Sequence, residues 1–327
     1  MEAYTVEEAG GNFRKIDLPR PALRPNYVLV RIKASGVSPL DIKIRAGKAS
    51  HAKQPLPAVL GVDMAGVVEE IGPGVTAFSR GDEVYGMVGG VGGLQGTLAE
   101  FIAVDADLLA HKPKNLSMRQ SAALPLVAIT AWEALIDRAH VCADHTVLVH
   151  AGAGGVGHIA VQLARAYNAK VFATVSPDKK NIAESFGAIP IDYRSSSVDE
   201  YVGKMTGGKG FDIVFDTVGG ATLDSSFLAV KRYVGHVVSC LGWGTHSLAP
   251  LSMRGATYSG VFTLLPLITG EGRAHHGEIL AQITALVEVG KLKPLLNHQI
   301  ISMADIETAH TLVESGAIGK VVVERRS

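Results

Sequence analysis

A glycine-rich turn after the apolar run at 146–150 is the part of the sequence that most directly indicates chemistry. Its glycines fit the pattern G-x-G-x-x-G, which allows a tight turn, a close approach of the backbone to phosphates, and close packing of helix on strand. A glycine turn alone also ends many strands that bind nothing. Here a second apolar run at 170–175 completes a ~30-residue strand-helix-strand unit, which favours a dinucleotide site at the helix N-terminus. The residues expected to face the diphosphate are Gly152, Gly154, Gly155, Val156 and Gly157.

The end of the second strand indicates which nicotinamide dinucleotide would bind. An NAD-preferring site places Asp or Glu there, where the carboxylate binds the ribose hydroxyls and repels a 2′-phosphate. That place holds the residues 175–177, Val-Ser-Pro, and Asp178 and two lysines follow. We therefore predict NADPH, with Ser176 and Lys179 as phosphate ligands. Ser176 and Pro177 also fit the start of a helix, and the two roles are compatible.

The composition of the chain excludes some classes of binding partner. Among 327 residues, 31 basic and 31 acidic side chains give a formal net charge of zero, and no long basic run offers a surface to nucleic acid. No apolar run approaches the length of a membrane span, and no secretory signal is visible. We expect a cytoplasmic protein that binds neither nucleic acid nor membrane. Cys142 and Cys240 lie in apolar surroundings and are expected to be small buried side chains rather than a disulfide.

The apolar pattern also indicates how the chain is divided. Short β-rich runs with Gly and Pro turns occupy the first third, which is typical of a small, mostly antiparallel β domain. A helical pattern over 121–136 follows, and then strands and helices alternate as in a doubly wound parallel sheet. We predict an α/β protein whose nucleotide-binding domain, 122–266, is inserted in a second domain of 1–121 and 267–327. The predicted strands of the sheet are 146–150, 170–175, 188–191, 211–215, 235–240 and 256–262, with helices between the first four.

Short segments along nearly the whole chain share their order and spacing with one enzyme superfamily. Besides the glycine turn, they are 34–41, 57–68, 81–86, 130–135 and 319–323. Together they resemble the medium-chain dehydrogenase/reductase superfamily, and within it the zinc-free, zeta-crystallin-like quinone oxidoreductases. The resemblance implies a Rossmann domain inserted in a GroES-like domain.

The resemblance also implies which reaction to expect. Zinc-dependent alcohol dehydrogenases carry a cysteine ligand where Ser38 stands and a His-Glu pair where Val62 and Asp63 stand. Zinc sites use thiolate and imidazole, so no metal is expected, and the pair His275-His276 is read as a solvated loop. Without a Lewis acid, a conjugated acceptor avoids concentrated negative charge on one oxygen. We therefore predict NADPH-dependent reduction of a quinone or an α,β-unsaturated carbonyl.

Three residues near the end of the first matching segment are the catalytic candidates. Lys43 stands where many quinone reductases carry a tyrosine, and the resemblance to enone-reducing members implies that it binds the substrate carbonyl or the nicotinamide ribose. Asp41 is expected to position Lys43, and Ser38 to donate one hydrogen bond. Exposed surface charges for the first two and a turn residue before Pro39 for the third are the open alternatives.

Further cofactor contacts are implied by the same resemblance. Tyr193 and Arg194 match residues that contact the extra phosphate of NADPH, and Thr130 matches a threonine near the nicotinamide. Leu241 and Trp243 follow the fifth strand at the edge where open α/β sheets place ligands. A helix-interior threonine and an ordinary loop aromatic are the alternatives for Thr130 and Trp243.

Several questions stay open in the sequence. A protein that binds NADPH without useful turnover is one rival function, and a classical alcohol dehydrogenase is another. The last predicted strand, 256–262, is apolar enough to favour a homodimer that covers its edge. The glycine-rich loop 86–96 does not open a helix and is read as a flexible surface loop. The sequence does not identify the small-molecule acceptor.

Overall fold

A computed structural model describes residues 1–325 of the chain. It forms two compact units. Unit 1 comprises Met1–Leu126, Leu264–Gly290 and the described residues 294–325, and unit 2 comprises Val127–Thr263 and Lys291–Lys293. The sequence of unit 2 is thus inserted in that of unit 1.

The strands, in chain order, are β1 (Glu2–Val6), β2 (Phe13–Asp17), β3 (Tyr27–Val37), β4 (Ala58–Val59), β5 (Asp63–Ile71), β6 (Glu83–Met87), β7 (Phe101–Asp105), β8 (Leu109–His111), β9 (Thr146–Val149), β10 (Lys170–Val175), β11 (Ile189–Asp192), β12 (Ile213–Asp216), β13 (His236–Ser239), β14 (Thr257–Gly260), β15 (Ile301–Ser302) and β16 (Val321–Glu324).

The helices are α1 (Pro39–Arg45), α2 (Met118–Ala122), α3 (Pro125–Trp132), α4 (Gly157–Ala166), α5 (Lys180–Ser185), α6 (Val198–Thr206), α7 (Ala221–Ala229), α8 (Ala249–Arg254), α9 (Leu265–Thr269), α10 (Arg273–Glu288) and α11 (Ile306–Glu314). Short 3-10 helices cover Ser50–Ala52, Ala106–Leu108, Pro177–Lys179 and Met303–Asp305, and a π-helix covers Glu133–Arg138.

Unit 2 contains a parallel sheet with the strand order β11-β10-β9-β12-β13-β14. Its central strands are mostly apolar because helices cover both faces of such a sheet. The predicted doubly wound sheet is confirmed, and each strand lies where the apolar runs placed it. Helices α7 and α8 lie between later strands and were not predicted. In α7, Leu223 and Phe227 are four residues apart and enter the core beside Phe172 and Phe211.

Unit 1 is built on a mostly antiparallel sheet with the order β15-β16-β3-β5-β6-β8, and β7 also pairs with β3. Strand β16, from the end of the sequence, lies between β15 and β3. A smaller sheet has the order β2-β1-β4. Pairing of β16 on β3 brings Val321 opposite Val37, so Lys320 and Ser38 lie at neighbouring positions in the sheet.

The helical segment at 121–136 is interrupted, which the sequence pattern did not predict. Helix α2 ends at Ala122, α3 begins at Pro125, and a π-helix continues from Glu133. Proline has no N–H to continue the hydrogen bonds of the preceding turn, so a helix begins at Pro125 rather than running through it.

Two further expectations about exposure are wrong. Cys142 is exposed, because it precedes β9 in a turn where its N–H donates to Nδ1 of His145 (3.3 Å). His275 and His276 lie in the first turn of α10 rather than in a loop. His276 is fully buried, whereas Nδ1 of His275 lies 3.2 Å from Glu278 Oε2.

The glycine-rich loop at 86–96 is mostly buried, so its interpretation as a surface loop is also wrong. A Cβ on Gly89 would lie 1.8 Å from the Gln95 carbonyl oxygen, and one on Gly96 would lie 2.2 Å from that of Leu60. Glycines are therefore needed here for close approach of backbone to backbone. Within residues 1–325, no helix has the length and apolarity needed to cross a bilayer.

Candidate active site

The glycine turn of unit 2 joins β9 to α4 and has no room for a side chain at Gly152 or Gly157. A Cβ on Gly152 would lie 2.4 Å from Cβ of Ala173 in β10, and a Cβ on Gly157 would lie 2.1 Å from the Ala151 carbonyl oxygen. The Gly154 N–H donates to that same oxygen (2.8 Å), and Ala151 has a φ of 51°. The turn is therefore tight, and it brings the start of α4 close to the sheet.

The outer side of this turn suits an anion. Gly155 is exposed, and Val156 next to it is half-buried at the N-terminus of the ten-residue helix α4. Backbone N–H groups in the first turn of a helix lack intrahelical acceptors, and the helix dipole is positive at that end. The residues present therefore fit the diphosphate of a dinucleotide.

Polar residues at the start of the glycine turn form a network of hydrogen bonds. His150 Nδ1 lies 3.0 Å from the Thr174 hydroxyl, which also accepts the Ala151 N–H (3.2 Å), and the Thr217 hydroxyl donates to the His150 carbonyl (2.7 Å). Burial lowers the pKa of His150 to about 4, so its imidazole is neutral near pH 7. Sequence reasoning missed these residues, although a histidine and a threonine near the ends of buried strands were a visible signal.

The residues predicted to bind the 2′-phosphate lie at the ends of two paired strands. Val175 is opposite Asp192 in the sheet, so Ser176 and Tyr193 follow neighbouring strand ends. Ser176 is buried, whereas Tyr193 is 54% exposed, and the Arg194 guanidinium lies 5.8 Å from its ring centroid. The carboxylates nearby are Asp178 and Asp192.

A hydroxyl and cationic side chains lie near Asp178 at this edge of the sheet. A hydrogen bond with Ser176 and the nearby charges of Lys179 and Arg194 lower the pKa of Asp178. Lys180 Nζ lies 3.9 Å from Asp192 Oδ2. The structure thus brings Ser176, Lys179 and Arg194 close to Asp178, and Asp192 is a second carboxylate at the same strand edge.

The loop after β13 holds the other predicted cofactor residues. Leu241 is half-buried and its N–H donates to the Ser239 hydroxyl (3.0 Å). Trp243 is 51% exposed, and its ring packs edge-on against Phe262 with 5.9 Å between centroids. Thr130 lies in α3 and is buried. The structure places Leu241 and Trp243 at the carboxyl edge of the sheet, the edge that also carries the glycine turn.

In unit 1, the three catalytic candidates lie at helix α1. The Ser38 N–H and hydroxyl both donate to Asp41 Oδ2, each at 2.8 Å, and both residues are buried. Lys43 is exposed on the same helix. Asp41 bonds Ser38 and fixes the start of the helix. Residues two apart on a helix point to different faces, so any effect of Asp41 on Lys43 passes through the helix.

A buried ion pair that the sequence did not reveal lies beside this helix start. Lys320 Nζ is 3.6 Å from Asp63 Oδ2, and Asp63 Oδ1 accepts the Leu126 N–H (2.8 Å). Asp63 is fully buried, and burial raises its pKa to about 7 even though Lys320 lowers it. Burial also raises the pKa of Asp41, which Lys320 partly opposes. Within residues 1–325, no hydrogen bond reaches Asp41 Oδ1, Asp63 Oδ2 or Lys320 Nζ.

The donor atoms at the positions discussed for zinc do not fit that metal. Ser38 supplies a hydroxyl that is already bonded to Asp41, Val62 supplies no donor, and Asp63 faces the ammonium of Lys320. Zinc sites are built from thiolate, imidazole and free carboxylate. Across the described part of the chain, no group of three or more His, Cys, Asp or Glu side chains is arranged to hold a metal ion.

Comparison with known proteins shows the family to which this chain is related. The family model described as alcohol dehydrogenase GroES-like domain matches residues 24–114, and the one described as zinc-binding dehydrogenase matches residues 155–270, which include none of the three positions above. The chain is 34% identical to the NADPH-dependent alkenal/one oxidoreductase, chloroplastic, of Arabidopsis thaliana over 99% of this chain and 79% of that protein.

Two further similarities cover nearly all of both chains. Identity to the quinone oxidoreductase of Pongo abelii is 32% over 99% of this chain and 97% of that protein. The crystal structure of an alcohol dehydrogenase superfamily protein from Novosphingobium aromaticivorans is 54% identical, with a TM-score of 0.97 and coverage of 100% of both chains. The chain therefore belongs to the medium-chain dehydrogenase/reductase superfamily, in its branch of quinone and alkenal/one oxidoreductases.

Proposed function

We propose that this protein reduces a quinone or an α,β-unsaturated carbonyl with NADPH. The observation that carries the proposal is the turn from Ala151 to Gly157, where a Cβ on Gly152 or Gly157 would collide with its neighbours and Gly155, close to the N-terminus of α4, is exposed. The relatives named as alkenal/one and quinone oxidoreductases, similar over nearly the whole chain, support the same acceptor classes.

The preference for NADPH over NADH rests on the cluster at the ends of β10 and β11. Ser176, Lys179, Tyr193 and Arg194 would hold the 2′-phosphate, since they offer hydroxyl donors and cationic groups at one strand edge. Asp178 is already held by Ser176 and lies near two cationic groups, so its charge is offset. The cofactor, when bound, supplies the hydride, and Thr130, Leu241 and Trp243 are proposed to contact its nicotinamide end.

Lys43 is proposed to bind the acceptor's oxygen. Its ammonium is exposed on α1, and the two hydrogen bonds from Ser38 to Asp41 fix the start of that helix. Ser38 and Asp41 then act on Lys43 by holding the helix, since both are buried and bonded to each other. A conjugated acceptor spreads the developing negative charge onto an oxygen, where one cationic donor stabilises it.

The experiment is a panel of quinones, alkenals and enones, each tested for oxidation of NADPH and of NADH by loss of the reduced nicotinamide absorbance. We expect turnover with conjugated acceptors, faster with NADPH, and little with saturated ketones. Binding of NADPH with no oxidation across the panel would favour a binding protein without turnover. Equal dissociation constants for the two cofactors would contradict the NADPH preference.

Self-association is proposed through β14, the last strand of its sheet within the described residues. Pairing of two copies across a two-fold axis would cover its open edge. Sedimentation at micromolar concentration should give a homodimer, and a monomer would contradict it. Residence in the cytoplasm is also a proposal, since one relative is chloroplastic by name.

A further inference from the structure

Asp216, the last residue of β12, has a buried and fully hydrogen-bonded carboxylate. The Val218 N–H donates to Oδ1 (3.1 Å), the Gly219 N–H donates to both oxygens (3.0 and 3.1 Å), and the Ser239 hydroxyl donates to Oδ2 (2.7 Å). The side chain is completely inaccessible to solvent. Hydrogen bonds to an ionised group are stronger than neutral ones, so this carboxylate holds the loop after β12 firmly.

The same carboxylate reaches a second loop through Ser239. The Ser239 hydroxyl that donates to Asp216 also accepts the Leu241 N–H (3.0 Å), which is the first step of the loop after β13. The two loops are in contact as well, since a Cβ on Gly219 would lie 2.5 Å from the Leu241 carbonyl oxygen. One buried charge therefore fixes two neighbouring loops at the carboxyl edge of the sheet.

The geometry points to Asp216 as a positioning residue for the dinucleotide. It acts through Ser239 and the two loops, and it holds Leu241 and Trp243 in the place where they would meet the nicotinamide end of the cofactor. This inference rests on the proposed binding of NADPH. Asp216 would thus serve ligand binding from a buried position at the sheet edge where open α/β folds bind ligands.

The chain offers a matched control on the same strand. Asp212 precedes β12 at the opposite edge of the sheet, where it accepts the Thr146 N–H (2.9 Å), the Thr146 hydroxyl (2.7 Å) and the Lys231 ammonium (2.7 Å). Asp212→Asn and Asp216→Asn therefore each disturb a carboxylate with several donors, and only Asp216 lies beside the two loops.

We expect Asp216→Asn to raise the dissociation constants of NADPH and NADH alike, by about 10-fold, because the altered loops lie away from the 2′-phosphate. The KM for NADPH should rise while kcat at saturating NADPH changes by less than about 2-fold. Amide hydrogen exchange at 217–220 and 241–243 should accelerate in the nucleotide-free protein. Asp212→Asn should lower the melting temperature and change none of these values.

A dissociation constant in Asp216→Asn equal to that of the wild type would overturn the inference, as would an equal weakening in Asp212→Asn. If Asp216→Asn does not fold, Ser239→Ala removes the hydroxyl that joins Asp216 to Leu241, leaves the two backbone donors to Asp216 in place, and should raise both constants about 3-fold. Wild-type protein that binds neither nucleotide would instead refute the proposed function, and the inference with it.

Discussion

Two aspartates of this protein are equally buried and differ in what surrounds them. Asp216 in unit 2 accepts hydrogen bonds from two backbone N–H groups and a hydroxyl. Asp63 in unit 1 accepts one N–H, and its other oxygen faces Lys320 at 3.6 Å without a hydrogen bond. Burial alone raises the pKa of a carboxyl, and hydrogen bonds to the charged form lower it. The two carboxylates are therefore equally deep but differ in the number of donors that hold them.

The difference extends to the two units. In unit 2, the polar residues at the glycine turn and at the ends of β12 and β13 form connected hydrogen bonds, although His150 Nε2 has none from another described residue. In unit 1, Asp41, Asp63 and Lys320 each retain a buried atom without a hydrogen bond from another described residue. These groups depend on one another's charge, so changing one should affect stability more than a change at the surface would.

The largest effect is expected for Lys320→Met. It keeps the aliphatic length but leaves Asp63 and Asp41 without a counter-charge, and the free energy of unfolding should fall by about 3 kcal/mol or more at pH 8. The loss should shrink at pH 5, where the carboxyls can bind protons. Denaturant unfolding at both pH values measures it. Lys43→Met, an exposed lysine of the same unit, is the control and should change stability by less than about 0.5 kcal/mol.

A second prediction concerns how the free energy of unfolding depends on pH through Asp63. Its pKa in the folded protein, about 7, lies above the ordinary value of 3.8, so the folded state holds a proton that the unfolded chain has released. Stability from this group is complete below about pH 4 and is lost as the pH rises through about 7, by about 1 to 4 kcal/mol. Asp63→Asn should remove that slope.

His150 changes the stability with pH in the opposite direction to Asp63. The free energy of unfolding of the wild type and of Asp63→Asn therefore has to be compared at each pH. The lowered pKa of His150 means that stability is lost as the pH falls from about 6.5 to about 4, because the unfolded chain then binds a proton that the folded protein does not. The wild-type curve combines both groups, and the difference from Asp63→Asn isolates one. Parallel curves for the two proteins would refute the assignment to Asp63.

Lys43→Met tests the reaction in unit 1. Loss of the ammonium should slow hydride transfer about 10- to 1000-fold, in the range seen when one oxyanion donor is removed, while NADPH binding changes little. Single-turnover oxidation of NADPH by stopped flow measures the rate. A rate equal to wild type would show that Lys43 has no part in the step. Lys48→Met, also exposed in unit 1, is the control and should leave the rate unchanged.

The smallest expected effect is in unit 2. Lys179→Ala should weaken NADPH binding about 5- to 30-fold, the scale of one charge-assisted hydrogen bond, and leave NADH binding nearly constant. Titration by nucleotide fluorescence separates the two. Equal weakening of both cofactors would place Lys179 away from the 2′-phosphate. Lys179→Ala and Lys43→Met together test whether Lys179 serves cofactor binding and Lys43 serves hydride transfer.

Much of the fold could be predicted because the signals are local. Apolar runs of strand length located β9 to β14, and the glycine turn indicated the start of α4. Pro125 was also visible, yet the helical periodicity around it hid the break. The loop at 86–96 looked exposed because glycines usually mark turns, whereas here they allow backbone contact with Leu60 and Gln95.

The residues that the sequence did not reveal are those whose partners are far away along the chain. Asp63 meets Lys320 only because β16 pairs with β3, and Asp216 meets Ser239 only because β12 and β13 are neighbours. Asp41 was recognised, but its partner was not, since Ser38 and Lys43 are both close in sequence and only the helix geometry selects between them. Register and topology, which periodicity does not encode, decide each of these contacts.

The place of β16 in its sheet has a consequence for synthesis on the ribosome. This strand lies between β15 and β3, yet it is translated after the whole of Val127–Thr263. Domains generally fold as units while the chain emerges. We therefore expect the parallel sheet to form while β3 still lacks a neighbour along part of its length and Asp63 still lacks its cation. During that interval the backbone groups of β3 at 34–37 lack the partners that β16 later provides.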